Sequence, residues 1–297
     1  MTTEFLLGDN AFIGVSHMSQ QKARMESLEA TPENFLRVME AAQDSGATGF
    51  TFSTHPRNLE LLAYLRDQRP DLSSKMDYYP LVPYVQAYIR KSGEEGTPAL
   101  MRTVLAAALG HRSSAKELVV ASLSSDLTRF MGLVIEAEIA PFLKVIPEKR
   151  LKAVLLHEVP TELMVAHRMG DFLSRTDSHV KRRTGASFGL ETRNLGQLQK
   201  FLDDACYSPE FIMTPFNKLG YQMAPDRHTA EIAAIKLGAR SKIIATNTLA
   251  SGALPFREAI DYLLRFKSSL HAIVSATTKP ERASQNFRIL VGSFASP

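Results

Sequence analysis

The 297-residue sequence holds one cysteine, Cys206. That excludes an internal disulfide framework and any zinc site built from several thiolates. No stretch reaches 18 uninterrupted apolar residues, so the ordinary signature of a membrane-spanning helix is missing. The opening residues, MTTEF, lack a basic segment followed by an apolar one, and no secretory leader is expected. Neither sign of charge dominates: 35 Lys and Arg face 31 Asp and Glu, a weak net charge of +4. The densest basic run, Lys181-Arg182-Arg183, reads as a solvated loop ahead of a strand. Nucleic acid and membrane are therefore not expected as partners, and a cytoplasmic, soluble protein is. The 16 Gly and 15 Pro are too few for a fibrous chain, and 44% hydrophobic residues are too many for a disordered one. A chain this long buries roughly three quarters of its unfolded surface, so it needs neither a disulfide nor a metal for stability.

What is present is an alternation. Short β-branched or aromatic runs exchange with amphipathic helical stretches from end to end. The first 15 residues hold two apolar runs around Gly8-Asp9-Asn10, and the first strand is placed near Phe12. Helix is expected over 32–44, with Thr31 as N-cap and Gly46 as the stop. A strand over 48–54 and a helix over 59–67 follow, then a strand over 79–86. The stretch 98–145 reads as mostly helical, with helices near 98–109 and 125–140. Beyond it, strands at 153–157, 186–190, 211–216, 243–246 and 272–275 each precede a helix, at 162–173, 195–205, 227–237, 256–266 and 280–290. Such spacing implies parallel βαβ units. Eight of them in this length imply a single (β/α)8 TIM barrel over 1–297, with an enlarged helical insertion at about 92–145. An open doubly wound sheet is the alternative, and it lacks the GxGxxG that should follow its first strand.

In such a barrel the chemistry sits at the C-terminal ends of the strands. Those ends read Ser16-His17, Ser53-Thr54-His55, Tyr84-Val85-Gln86, His157-Glu158, Glu191-Thr192-Arg193-Asn194, Phe216-Asn217-Lys218, Thr246-Asn247-Thr248 and Ser275-Ala276-Thr277-Thr278. Apolar strand bodies with polar ends make a polar mouth suited to a small polar molecule. Asp9-Asn10 fits either a ligand contact or a turn closing the barrel bottom.

The C-terminal half resembles the aldo/keto reductase superfamily. ATNTLASGAL at 245–254 looks like the family's seventh-strand AYSPLASGAL. FNKL at 216–219 looks like its YNPL. PERASQN at 280–286 keeps its P-x-R-x-x-x-N spacing, and His157 with Pro160 sits where the family keeps its fourth-strand His. The resemblance runs colinearly over about 150–290. It implies an NADP(H)-dependent oxidoreductase, with Phe216, Asn247, Ser275, Thr277, Arg282 and Asn286 as cofactor contacts. Arg282 and Thr277 would take the 2′-phosphate, Asn286 the adenine, and Phe216 would stack on nicotinamide. A helix N-terminus with a guanidinium fork suits a phosphate on physical grounds; an ordinary solvated helix start is the other account, and core packing the other account of Phe216. The catalytic half departs from the family. Thr51 stands at the Asp position, no Tyr follows it, the Lys falls near Val85-Gln86, and the fifth-strand Ser-Asn pair is Glu191-Thr192.

Reduction of a carbonyl still needs a proton for the developing alkoxide. His157 would orient the carbonyl, and His55 or His17 would supply the proton, with Tyr84 a further substitute. A non-redox lyase, isomerase or aldolase-like enzyme is the alternative, using Lys218 as a Schiff base with Glu191 or Glu158 as acid-base. A mixed site of His17, His55 and His157 with Glu158 and Glu191 would instead favour a metal enzyme, though no metal is expected from its spacing. The apolar stripe of Met101, Val104 and Leu105 in the insertion could carry a partner or homo-oligomer surface in a non-enzymatic protein.

Overall fold

A computed structural model of the chain describes residues 3–14, 29–84 and 127–295, with side chains of 127–130 excepted. Eight parallel strands pair in sequence order and the eighth closes on the first. They are β1 Glu4–Gly8, β2 Gly49–Ser53, β3 Asp77–Val82, β4 Ala153–Leu156, β5 Ser187–Glu191, β6 Phe211–Pro215, β7 Lys242–Thr246 and β8 Leu270–Ser275. Around them run α1 Pro32–Gln43, α2 Pro56–Gln68, α3 Pro70–Ser73, α4 Leu127–Leu143, α5 Glu158–Ala166, α6 Gly170–Thr184, α7 Leu195–Asp204, α8 Arg227–Gly238, α9 Phe256–Leu264 and α10 Pro280–Ala295. This is the expected (β/α)8 barrel. Among the described residues no helix is long and apolar enough to cross a membrane.

Capping explains several helix starts. The Thr31 side chain accepts from Asn34 N at α1, and Pro32 follows at the first helical position, where its missing N–H costs nothing. Asp226 caps α8 and Asn194 caps α7 in the same way. Gly185, at φ 70°, ends α6 in the left-handed conformation that glycine adopts without strain.

Strand register decides which residues point into the barrel. Leu6 pairs with Gly49, Thr51 with Tyr79, Leu155 with Gly189, and Met213 with Ile244, so these alternate positions share the inner face. Leu6, Tyr79, Leu155, Phe211, Met213 and Ile244 form a buried cluster there. Tyr79 and Phe211 meet edge to face, with ring centroids 5.7 Å apart. Glycine makes that possible at β5. A Cβ on Gly189 would lie 2.5 Å from Leu155 Cδ2 and 2.8 Å from the Phe211 carbonyl oxygen. Gly189→Ala is expected to destabilise the protein by about 2 kcal/mol, read as a lower denaturant midpoint with unchanged slope.

Four expectations are corrected. The first strand is Glu4–Gly8, not the segment near Phe12, because Phe5, Leu6 and Leu7 bury themselves in register with β8. Phe12 lies beyond the strand and packs edge-on against Phe35 of α1 at 5.0 Å. The third strand starts at Asp77 and ends at Val82; residues 85 and 86 lie outside the described residues, as do His17, the stripe at 101–105 and the helix expected near 98–109. The expected helix over 162–173 is two helices, α5 and α6, broken where Arg168 takes a φ of 53°. Lys181-Arg182-Arg183 is therefore the last turn of α6 and not a loop, where cations complement the helix dipole and Arg183 pairs with Glu136 of α4.

Candidate active site

The shift of β1 by one apolar run moves Asp9 from the expected barrel bottom to the C-terminal mouth. There it lines a cavity of about 810 Å³ with residues from the ends of all eight strands. Asp9 is only 8% exposed. Its Oδ2 accepts from Ser53 N (2.9 Å), Ser53 Oγ (2.8 Å) and Asn58 Nδ2 (2.7 Å), which ties the end of β1 to β2 and α2. Burial nevertheless pushes the carboxyl above its ordinary range, against those hydrogen bonds.

β4 and β5 supply the wall across the mouth from β1. His157 follows β4 as the N-cap of α5, its Nδ1 accepting from Val159 N at 3.2 Å. That bond places the proton of the neutral ring on Nε2. Burial, followed by the Arg193 charge, lowers the imidazole to about 4, so it is neutral at physiological pH. Glu191 is the last residue of β5 and shares the inward parity of Gly189. Its Oε2 accepts from Glu158 N at 3.1 Å. Burial, then the Glu158 charge, raises its carboxyl from 4.5 to about 8. Glu158 itself is paired with Arg193. The loop beyond is held by Glu162, whose Oε1 accepts from Thr192 Oγ1 at 2.5 Å and Arg193 N at 3.0 Å. A neutral imidazole and a neutral carboxylic acid thus stand at adjacent strand ends.

The opposite side of the cavity is cationic. Arg257 in the first turn of α9 and Arg282 in the first turn of α10 both line it. Neither forms an ion pair or hydrogen bond with a described residue. Thr277 is buried beside them and its Oγ1 accepts from Lys279 N at 3.2 Å. Asn286 Nδ2 donates to Ser275 Oγ at 3.3 Å. Asn247 lies between the two sides at φ 48°, its Oδ1 accepting from Ser251 N at 2.7 Å and its Nδ2 donating to Gln222 Oε1 at 3.0 Å. Ala250 and Ser251 also have positive φ, so the β7 loop holds three non-glycine residues in a costly conformation at the cavity wall.

The sequence-derived candidates divide accordingly. His157, Glu191, Asn247, Ser275, Thr277, Arg282 and Asn286 share the cavity, and Tyr84 joins them. Three others do not line it. Phe216 has outward parity on β6, is fully buried, and packs on Tyr262 and Phe266 behind the sheet, so it cannot stack on a ligand in the mouth. Lys218 is exposed and paired with Glu258 at 2.7 Å, outside the mouth. His55 caps α2 by accepting from Arg57 N at 2.9 Å, and its ring backs Tyr84 at 4.9 Å. Among the described residues no three His, Cys, Asp or Glu converge as a metal site. Arg257 and Gln222 were not singled out as site residues. Asp9 stood open between a ligand contact and a turn at the barrel bottom because of the strand misplacement, and Arg257 was legible as a cation opening the helix after the seventh strand.

No family model and no curated protein matches the chain. Solved structures do. One described as an aldo-keto reductase from Pseudomonas aeruginosa is 16% identical with a TM-score of 0.59, covering 98% of this chain and 91% of that one. A Bacillus halodurans aldo-keto reductase in its holo form is 10% identical with a TM-score of 0.57, covering 99% and 93%. A variant of a protein named Gox0644, in complex with NADPH, is 12% identical with a TM-score of 0.50, covering 97% and 83%. At these identities the likeness establishes the shared fold.

Proposed function

We propose that the protein is an aldo/keto reductase-like oxidoreductase that uses NADP(H) to reduce a small polar carbonyl compound, with Glu191 in place of the family's tyrosine acid. The observation that carries this reading is the division of one cavity into a cationic side, unpaired among the described residues, and a side holding an acid that stays protonated at neutral pH. The holo and NADPH-bound neighbours on the same barrel add support for the cofactor.

The residues present fit the cofactor. Arg257 and Arg282 have no counter-charge among the described residues, and phosphates would supply one. Arg282, with Thr277, is assigned to the 2′-phosphate and Arg257 to the diphosphate. Asn286 and Ser275 offer amide and hydroxyl groups next to that end, and Asn247 holds the β7 loop against Gln222. When bound, the reduced nicotinamide supplies the hydride.

The remaining chemistry belongs to the chain. His157 Nε2–H donates to the substrate carbonyl oxygen and orients it. Because the ring stays neutral above about pH 4, it polarises the carbonyl without carrying charge. Glu191 delivers its proton as the oxygen becomes an alkoxide. The carboxylate that remains is stabilised by the Glu158 N–H and the start of α5. Lys218 is paired with Glu258 and does not line the cavity, which argues against a Schiff-base role for it there.

The test is isotopic. NADPH deuterated at C4 is incubated with the protein and a panel of small aldehydes and ketones, and products are read by mass spectrometry. A deuterated alcohol is the expected product. Its absence across the panel, with protein that binds NADPH, contradicts the reading.

A further inference from the structure

Glu158 and Glu162 stand one turn apart on α5, so their carboxylates share the helix face that meets the loop after β5. Each holds Arg193 by a different part. Glu162 Oε1 accepts from Arg193 N at 3.0 Å, Thr192 Oγ1 at 2.5 Å and Asn194 N at 3.2 Å. Ala224 N, from the loop after β6, donates to the Arg193 carbonyl oxygen at 2.8 Å. With its backbone pinned on both sides, Arg193 reaches back through its guanidinium and pairs with Glu158. Glu158 in turn gives its backbone N–H to Glu191 Oε2. One run of contacts therefore leads from Glu162 through Arg193 and Glu158 to the acid at the end of β5.

A carboxyl beside a second, bare carboxylate holds its proton tightly, because losing it sets two negative charges side by side. The Arg193 charge offsets that of Glu158, and a guanidinium keeps its charge at every working pH. Among the described residues, Glu191 also faces Asp9 across the mouth, with Tyr84 and His157 from the ends of β3 and β4. β6 brings Met213 and Pro215, and Arg257 and Arg282 stand on the far side. Of these groups only Arg193 brings a positive charge to the Glu158–Glu191 pair.

We infer that Arg193 is a positioning residue of this mouth: clamped by Glu162, it neutralises Glu158 and so keeps Glu191 able to give up its proton. The step to catalysis rests on the reductase reading; the electrostatic link does not. His157 feels the same charge, which helps to hold its imidazole low. Loss of Arg193 therefore raises the midpoints of both groups and moves the pH profile of reduction upward as a whole. The Arg193 and Glu158 side chains are 44% and 18% exposed, so water screens part of the effect. Glu191 is expected to become a weaker acid by about threefold to tenfold, or roughly half to one pH unit.

With glutamate labelled by carbon-13 at the side-chain carboxyl, NMR reads the Glu191 midpoint in the full chain without NADPH. Arg193→Met is expected to raise that midpoint, and Glu158→Gln, which keeps the backbone donor, to lower it. In the double variant the two losses offset each other and the midpoint returns close to the wild-type value. Arg193→Lys, which keeps a cation, stays near wild type. Packing alone would not give shifts of opposite sign. A midpoint that fails to rise in Arg193→Met, or fails to fall in Glu158→Gln, overturns the assignment; if one variant does not fold, the sign of the other decides. The alkaline limb of NADPH-dependent reduction is expected to move with the midpoint in Arg193→Met. Opposite shifts in a protein that reduces no carbonyl compound support the electrostatic link and remove the reductase reading.

Discussion

Replacing Glu191 with glutamine is expected to lower the rate of carbonyl reduction by about 10²–10³-fold, while making the protein more stable at alkaline pH. The rate loss follows from removing the general acid, whose contribution is typically of that size. The stability gain follows from proton linkage. In the folded protein Glu191 holds its proton up to about pH 8, whereas its ordinary value is 4.5. Between those two values the folded state carries a proton that the unfolded state has lost. Stability therefore falls as pH rises through this window and levels off above it. The neutral amide has no such slope. Wild type and Glu191→Gln should differ little at pH 4, and the variant should be more stable by roughly 3–5 kcal/mol at pH 9. Urea unfolding at the two pH values measures this. A variant that is equally stable at both, or less stable at pH 9, removes the argument that this carboxyl is held neutral.

The second large effect lies at the cationic end. Arg282→Ala is expected to weaken NADPH binding by about tenfold to a hundredfold, with little change for NADH, because only NADPH carries the 2′-phosphate. Arg257→Ala is expected to weaken both cofactors by a similar factor through the shared diphosphate. Neither change should alter thermal stability, since neither guanidinium has a partner among the described residues. Fluorescence titration of each variant with both cofactors separates the two roles. Unchanged NADPH affinity in both variants contradicts the phosphate assignment. Equal losses for NADPH and NADH in Arg282→Ala would move it to the diphosphate.

The barrel was legible in the sequence because strand bodies are apolar and their ends polar, a pattern that eight repeats make hard to miss. The second half read well for a further reason: each of its strands is bounded by a turn or cap residue, as Asn194 and Asp226 show. The first strand was misplaced because two apolar runs flank Gly8-Asp9-Asn10, and composition does not distinguish between them. Pairing does, through the register of Leu6 with Gly49 and Val274. That single slip left Asp9 open between a ligand contact and a turn at the barrel bottom. Glu191 was visible as a strand-end acid, but its protonation depends on burial and on the neighbouring Glu158, which only the folded arrangement supplies. Phe216 shows the opposite error. A resemblance in local sequence placed it against the cofactor, while strand parity, readable from Met213 and Pro215, turns it behind the sheet. Lys218 likewise follows the strand end closely in sequence yet turns outward to Glu258.

The account depends most on the protonation of Glu191, and that can be observed directly. With glutamate labelled at the side-chain carboxyl by carbon-13, NMR follows every Glu through a pH titration. One resonance is expected to titrate with a midpoint near pH 8 and to be missing from Glu191→Gln. If every glutamate resonance titrates below pH 6, Glu191 is ionised at neutral pH and cannot be the proton donor.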